Sequence, residues 1–206
     1  MPKRSPHLFH DTEYCRAWER KAHAGKEHLK AYFSEMAQRI RKPGIPASHV
    51  LEFGCGPGFL AAHLLRKLPD IRYTGLDFSR PMLRLAGKRL APYQDRVALH
   101  CSDLNTNRWT QMVHGPIHAM VSNKALHDLD DDDSVARVYA AAARRLHSGG
   151  ILINADLVRT EVPDREYRPS WLTVDQHLEL LGASGFNHVR CLRQRGAHAF
   201  ILATAA

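Results

Sequence analysis

The sequence predicts an α/β protein with a doubly wound, seven-stranded, mostly parallel β-sheet, a C-terminal antiparallel hairpin and an N-terminal helical cap. Apolar strands and amphipathic helices alternate from Val50 onward, with the spacing of right-handed crossover units. Near the end of the chain, two apolar runs flank the turn-like residues Arg195, Gly196 and Ala197, which is typical of a hairpin. The 206 residues, 44% of them hydrophobic, suffice for one domain with a large core.

The strands and helices of this main part follow from apolar periodicity and from glycine and proline breaks. The predicted strands cover residues 50–53, 73–76, 97–100, 119–122, 151–156, 188–193 and 199–204, and the predicted helices cover residues 59–68, 81–90, 134–146 and 174–184. In the third of these helices, Asp133 or Ser134 can cap the start, and Gly149 and Gly150 stop the helix.

The segment before the first strand has a helical pattern of its own. Apolar residues spaced near three, four or seven apart mark an amphipathic region over 11–42, which Asp11 or Thr12 can cap and Gly25 breaks or bends. The residues that end this region are Pro43, Gly44 and Pro46. We expect residues 1–48 to form a helical cap or lid and residues 49–206 to form the main domain.

Composition favours a cytoplasmic protein. No stretch is apolar enough to span or insert into a membrane, and the first ten residues lack the apolar middle of a signal peptide. The four cysteines are scattered, which argues against a zinc site and a disulfide framework. The formal net charge is +8, with ten Lys/Arg against five Asp/Glu in residues 1–48. This basic front could attract an anionic substrate or RNA phosphates, although a solvated helix surface is the simpler interpretation.

Three successive predicted strands end in residues that suit a nucleoside. The first runs through VLEFGCGPG into Gly54, Gly56 and Gly58, where the backbone can approach a ligand closely. Asp77 ends the second strand, about 20 residues on, at the distance expected of an acid that binds ribose hydroxyls. Asp103 follows the third and can accept a hydrogen bond from an adenine amino group. Alternatively, Gly54 to Gly58 could simply form a tight turn, and Asp77 and Asp103 could simply cap helices or turns.

A dinucleotide is not expected at this loop. Its fingerprint has the spacing G-x-G-x-x-G, whereas Phe59 stands where the third glycine of that fingerprint would be. The loop therefore indicates a nucleoside ligand without a pyrophosphate.

These motifs resemble those of the class I S-adenosylmethionine-dependent methyltransferases, which have a Rossmann-like fold. VLEFGCGPG resembles their first motif, GLDFS followed by RPMLRLA their ribose-acid motif, and CSDL their adenine-contact motif. SNKALHDL, LHSGGILI and the final helix and hairpin extend the resemblance over about three quarters of the chain. The resemblance implies S-adenosyl-L-methionine as cofactor, S-adenosyl-L-homocysteine as product and a small-molecule acceptor.

The resemblance also implies which residues hold the cofactor. Glu52 and the backbone around Gly54 to Gly58, including Cys55, would hold the methionine portion, and Asn123 would lie near the sulfonium. The adenosine contacts implied are Asp77 for the ribose, Phe78 and Met82 on the flanks of the adenine, and Asp103 with Leu104 at its edge. Ser79, the last residue of GLDFS, is also expected to bind the cofactor. Cys55 is interpreted as a small filler and not as a nucleophile.

A sulfonium methyl group is already activated, so the enzyme mainly has to align a nucleophile and exclude water. A base is needed only if the acceptor must lose a proton. His127 is the first candidate, with Asp128 beside it. Tyr14, one turn from Trp18 in the segment that often forms a lid in such enzymes, is a further candidate, and His10 and Asp11 are possible substrate contacts. The acidic run over 128–133 is expected to hold no metal, because its carboxylates are consecutive and splay apart.

Two other functions stay open at this point. One is an RNA or protein methyltransferase that docks its substrate on the basic front, although SNKA stands where amide-methylating enzymes have NPPY or DPPY. The other is a non-catalytic cofactor-binding subunit. Only residues 157–172 fill the gap before the last helix, where relatives insert extra helices, so we expect a smaller cap over the pocket. The oligomeric state and the acceptor are not indicated.

Overall fold

A computed structural model describes residues 6–24, 27–41, 49–160 and 171–206. Its strands are β1 His49–Phe53, β2 Arg72–Asp77, β3 Val97–Cys101, β4 Ile117–Asn123, β5 Leu146–Leu157, β6 Phe186–Arg195 and β7 His198–Ala205. Its α-helices are α1 Thr12–Ala24, α2 Glu27–Ile40, α3 Phe59–Lys67, α4 Arg80–Leu90, α5 Trp109–Met112, α6 Asp132–Arg145 and α7 Val174–Ala183. Short 3₁₀ turns cover Pro6–His10, Ala91–Arg96 and Leu126–Asp128.

The seven strands form one sheet in the order β3-β2-β1-β4-β5-β7-β6. Strands β1 to β5 are parallel, and β7 runs antiparallel to both β5 and β6. The predicted doubly wound sheet and terminal hairpin are therefore confirmed. The strand order reverses between β1 and β4, which is the place where open α/β sheets form a ligand crevice.

Helices cover both faces of the sheet and bury two apolar clusters. One cluster packs α5, α6 and α7 against one face, with Trp109 and Tyr139 at its centre. The other packs α2, α3 and α4 against the opposite face, through residues such as Phe33, Met36 and Leu64. These clusters hold the strand ends rigidly, so that loops at the carboxyl edge of the sheet are positioned by a fixed scaffold.

Helix α1 begins where the sequence predicts. The Tyr14 backbone N–H donates to Asp11 Oδ1 at 2.6 Å, so Asp11 caps this helix. The predicted break at Gly25 and the terminating residues Pro43, Gly44 and Pro46 lie outside the described residues. Most of the gap on which the expected smaller cap depends, residues 161–170, also lies outside them.

Helix α6 differs from the prediction at both ends. It begins at Asp132, and its cap is Asp131, whose Oδ1 accepts from the Ser134 N–H at 2.8 Å, so capping by Asp133 or Ser134 is wrong. The helix ends at Arg145, before the two glycines. Gly149 and Gly150 do not stop the helix but lie within β5, where the pairing with β4 shifts register. A Cβ at position 150 would lie 2.7 Å from the His147 carbonyl oxygen, which explains a glycine there.

No helix within the described residues is long and apolar enough to cross a membrane.

Candidate active site

The loop between β1 and α3 requires glycine for two separate reasons. Gly54, Gly56 and Gly58 all have positive φ angles, of 62°, 52° and 80°. A Cβ on Gly54 would also lie 2.3 Å from the Cβ of Ala125, which follows β4. The Gly58 N–H donates to the Cys55 carbonyl at 3.0 Å and closes the turn. The backbone of this loop is thereby open to close approach by a ligand.

Asp77 lies at the end of β2, directly beside the glycine loop. Its Oδ2 accepts from the Gly56 N–H and its Oδ1 from the Ser79 N–H, both at 2.8 Å. The side chain is buried, and burial raises its pKa to about 6, although the two amide bonds oppose that rise. Each carboxylate oxygen can accept a second hydrogen bond. Asp77 therefore fits the two hydroxyls of a ribose.

Glu52 is enclosed by the protein. The Tyr73 hydroxyl donates to Glu52 Oε2 at 2.6 Å, and burial raises the Glu52 pKa to about 8. A neutral carboxyl is therefore favoured at neutral pH in the free protein. Cys55 lies nearby, and burial raises the pKa of its thiol, which suits a space-filling role.

The N-terminal segment covers the region implied to flank the adenine. The Phe78 ring contacts the rings of Phe9 and His10, with centroids 6.3 and 5.5 Å apart. Ser79 Oγ donates to the Phe9 carbonyl at 2.5 Å and accepts from the Met82 N–H at 3.1 Å, so it also caps α4. Met82 is buried. Part of the predicted cap thus lies directly over the predicted adenosine residues.

Asp103 occupies a turn after β3. Its Oδ1 accepts from the Asn105 N–H at 2.9 Å, and the carboxylate is exposed. Asp103 therefore caps a turn, which is the alternative role that the sequence suggested for this residue. Leu104 is buried beside it. The role of Asp103 and Leu104 at the adenine edge stays a prediction.

The end of β4 carries two unusual residues. Asn123 Oδ1 is buried and has no hydrogen-bond partner within the described part of the chain, so a donor from a ligand could bind there. Lys124 has a φ angle of 55°, a left-handed conformation that is rare outside glycine. Its N–H donates to the Ala155 carbonyl at 2.9 Å, and burial lowers the pKa of its ammonium. Backbone strain of this kind is concentrated at functional sites.

His127 is held by a buried carboxylate at the end of β5. His127 Nδ1 lies 2.6 Å from Asp156 Oδ1, and Asp156 Oδ2 accepts from the N–H groups of Leu126 and His127 at 2.9 and 3.1 Å. Burial alone would raise the Asp156 pKa, but the charge and hydrogen bond of His127 hold it below the ordinary value. The His127 ring also contacts Trp171, and its Nε2 lies 3.5 Å from Asp128 Oδ2.

Asp156 is the principal site residue that sequence reasoning missed. The sequence interpretation placed it only as the last residue of a strand and paired His127 with the adjacent Asp128. The signal that identified Asp77 was nevertheless present, because Asp156 is also an acid at the carboxyl end of an apolar parallel strand.

The catalytic role of Tyr14 stays a prediction. The Tyr14 ring packs on Phe9, with centroids 5.4 Å apart, and Phe9 in turn contacts Phe78 after β2. His127 follows β4, and β1 lies between these two strands. The contacts of the Tyr14 ring therefore link it to the N-terminal segment and not to His127. Trp18 also packs edge-on against Phe9. Asp11, predicted as a possible substrate contact, uses its carboxylate to cap α1.

A buried polar cluster lies beneath Asp156. Tyr139 is fully buried, and its hydroxyl lies 2.9 Å from His177 Nδ1 and accepts from Asn154 Nδ2 at 3.1 Å. Burial lowers the His177 pKa to about 4, so this histidine is neutral and Nδ1 can accept from the hydroxyl. Each of these bonds gives a partner to a donor or acceptor that would otherwise be unsatisfied in the core.

The acidic run after His127 is divided among separate roles. Asp128 contacts His127, Asp131 caps α6, and Asp132 and Asp133 lie in its first turn, where acids are favoured. Within the described residues, no three His, Cys, Asp or Glu side chains are arranged to hold a metal ion. The expectation that no metal is used stays a prediction.

The sheet defines a Rossmann-like protein, and the groups at its switch point have the chemistry predicted for a nucleoside site. Residues 50–150 match the family model described as a methyltransferase domain. The chain is 28% identical over 198 residues to malonyl-[acyl-carrier protein] O-methyltransferase of Magnetococcus marinus, covering 80% of this chain and 68% of that protein. It is 30% identical over 135 residues to trans-aconitate 2-methyltransferase of Paracidovorax citrulli, covering 65% and 46% of the two chains.

The fold also matches solved methyltransferase structures. An amino pentose methyltransferase from Micromonospora echinaspora, solved with S-adenosylmethionine bound, superposes with a TM-score of 0.72 at 19% identity. The match covers 92% of this chain and 97% of that one. The matched methyltransferase domain, the methyltransferase relatives and the fold together support a class I S-adenosylmethionine-dependent methyltransferase.

Proposed function

We propose that this protein transfers the methyl group of S-adenosylmethionine to an oxygen atom of a small-molecule acceptor, with His127 as the base. The observation that carries the proposal is the short contact between His127 and Asp156 at the carboxyl edge of the sheet. A fixed histidine has a purpose in methyl transfer when the nucleophile must lose a proton, as a hydroxyl must.

The residues present fit the cofactor. Asp77 would bind the ribose hydroxyls, and the backbone of the glycine loop would contact the methionine portion. The buried Asn123 Oδ1 would accept a hydrogen bond from the cofactor. When bound, S-adenosylmethionine supplies an activated methyl group on a cationic sulfur. The chain's own task is then to align the acceptor oxygen and to exclude water.

His127 suits proton removal because its ring is fixed at one nitrogen. An Nδ1–H donated to Asp156 leaves the lone pair on Nε2. Asp156, together with Asp128, whose Oδ2 lies 3.5 Å from Nε2, stabilises the imidazolium that forms. His127 Nε2 would take the proton of the acceptor hydroxyl as its oxygen bonds to the methyl group that the cofactor would supply, with the cofactor leaving as S-adenosylhomocysteine. His127 is 11% exposed, so few waters compete for Nε2.

The relatives support an oxygen acceptor. The Magnetococcus marinus protein is named as an O-methyltransferase, and both named acceptors, a malonyl group and trans-aconitate, are carboxylic acids. A carboxylate has already lost its proton at neutral pH and needs no base. Small acids that also carry a hydroxyl, the group whose methylation would need His127, are therefore the acceptor class to test first.

The test is methyl transfer from a labelled donor to a metabolite extract, followed by isolation of the product. Once an acceptor is found, His127→Ala should lower kcat at least tenfold, because a general base contributes about 10²-fold or more. Its affinity for S-adenosylhomocysteine should stay within twofold of wild type. The exposed His147 is the matched control, and His147→Ala should keep full activity. An unchanged kcat in His127→Ala would remove His127 from the mechanism.

A further inference from the structure

Arg89, in the last turn of α4, joins three elements around the cofactor loop. Its Nη1 donates to the Pro57 carbonyl, and its Nη2 lies 2.6 Å from Glu19 Oε1 on α1. Its guanidinium stacks over the Phe59 ring at 4.1 Å, where α3 begins. The Arg89 and Glu19 side chains are only 22% and 21% exposed, so the ion pair is partly shielded from water.

The bond to Pro57 fixes the glycine loop. The Pro57 carbonyl and the Gly58 N–H belong to one planar peptide group, so a bond to the carbonyl also orients that N–H. The preceding N–H, of Gly56, donates to Asp77. Glycines at positive φ have little intrinsic preference for this shape, and the contacts of Arg89 and Asp77 therefore select it.

Helix α1 and the turn before it have several other attachments. Among the α1 residues with described side chains, Cys15 is the one that is fully buried, and its Sγ lies 3.8 Å from Ser79 Oγ. Other polar links are the bond from Ser79 to Phe9, just before the helix, and the bond from Arg84 to Thr12. The pair between Arg89 and Glu19 differs from these links because Arg89 also bonds to the glycine loop at Pro57.

We propose that Arg89 is a positioning residue that couples the docking of α1 to the shape of the glycine loop, so that cofactor binding and closure of the N-terminal segment stabilise each other. Coupling of this kind is reciprocal, because a ligand that orders the loop must favour docked α1 by the same factor that docked α1 favours the ligand. The proposal uses only the cofactor site and does not depend on the acceptor or on His127.

Calorimetric titration with S-adenosylhomocysteine tests the coupling. Arg89→Met keeps the apolar stem and removes both polar contacts, and it should raise the dissociation constant at least tenfold. Glu19→Gln removes only the charge on α1 that faces Arg89 and should raise the dissociation constant about threefold. Lys88→Met is the matched control, since Lys88 precedes Arg89 in the last turn of the same helix and its side chain is exposed, and its effect should stay below twofold.

Hydrogen exchange supplies a readout that altered stability alone would not produce. In wild type, S-adenosylhomocysteine should slow exchange across Thr12–Ala24, whereas in Glu19→Gln at saturating ligand this slowing should be largely lost. Equal affinities of Arg89→Met and Lys88→Met, or undiminished protection of α1 in Glu19→Gln, would overturn the coupling. If wild type binds no S-adenosylhomocysteine, both this inference and the proposed function fail.

Discussion

The buried position of Asp77 predicts that cofactor affinity increases with pH between 5 and 7. Burial raises the pKa of this carboxyl to about 6, so the free protein keeps its proton over the lower half of that range. Ribose hydroxyls donate hydrogen bonds to the carboxylate form, so the complex holds the pKa lower and binding releases a proton. The sign follows from linkage, since the state that binds fewer protons is favoured as pH rises.

The magnitude follows from the two pKa values. With a pKa of about 6 in the free protein and below about 4 in the complex, affinity should increase about tenfold from pH 5 to pH 7, or about 1.4 kcal/mol. The gain should level off above about pH 7. The same raised pKa predicts that the free protein loses stability as pH rises from the ordinary aspartate value towards 6.

Calorimetry with S-adenosylhomocysteine in two buffers of different ionisation enthalpy measures both the affinity and the number of protons released. Asp77→Asn provides the control, because its weaker binding should not change with pH over this range. Ionisation of Glu52, whose pKa is raised to about 8, would appear separately as a further gain that continues above pH 7. A wild-type dissociation constant that stays within twofold from pH 5 to pH 7 would refute this account of Asp77.

Two further predictions concern the loop and the core. Gly54→Ala should abolish S-adenosylhomocysteine binding, because its Cβ would lie 2.3 Å from that of Ala125. Gly196→Ala, at φ 53° in open space, should cost about 1 to 2 kcal/mol of stability and leave binding intact. If Gly54→Ala binds normally, the close approach of the loop to Ala125 is not required. Tyr139→Phe should lower the free energy of unfolding in urea by about 1 to 3 kcal/mol, since His177 and Asn154 lose their buried partner; an unchanged unfolding midpoint would contradict those bonds.

Much of the fold was predictable because local patterns and the overall architecture agree. Alternation of apolar strands and helices defines a parallel sheet, and the two-residue turn at Gly196 and Ala197 defines the hairpin. Helix ends were harder to predict where several neighbouring residues could serve as the cap. Asp131, Asp132 and Asp133 are all capable caps, and only the backbone geometry shows that Asp131 takes that position.

The glycines before β5 show a different limit of sequence reasoning. Paired glycines after a helical stripe are typical of a helix end, but here Leu146 already pairs with Ile117 in the sheet. The strand then tolerates a register shift, which no local pattern indicates.

Within the site, the sequence identified groups at strand ends but not their partners. Contacts such as Tyr73 with Glu52, or Asp156 with His127, join residues 21 and 29 positions apart and depend on the register of neighbouring strands. Tyr14 shows the converse, because its place on α1 suggested proximity to the chemistry while packing takes it to Phe9. The left-handed conformation of Lys124 likewise has no signal in the sequence.

The most direct test of the central claim is titration of the purified protein with S-adenosylhomocysteine at neutral pH. The account predicts saturable binding at one site per chain, abolished by Gly54→Ala and strongly weakened by Asp77→Asn. Absence of binding by protein that shows a cooperative unfolding transition would contradict the assignment of the cofactor to the carboxyl edge of this sheet.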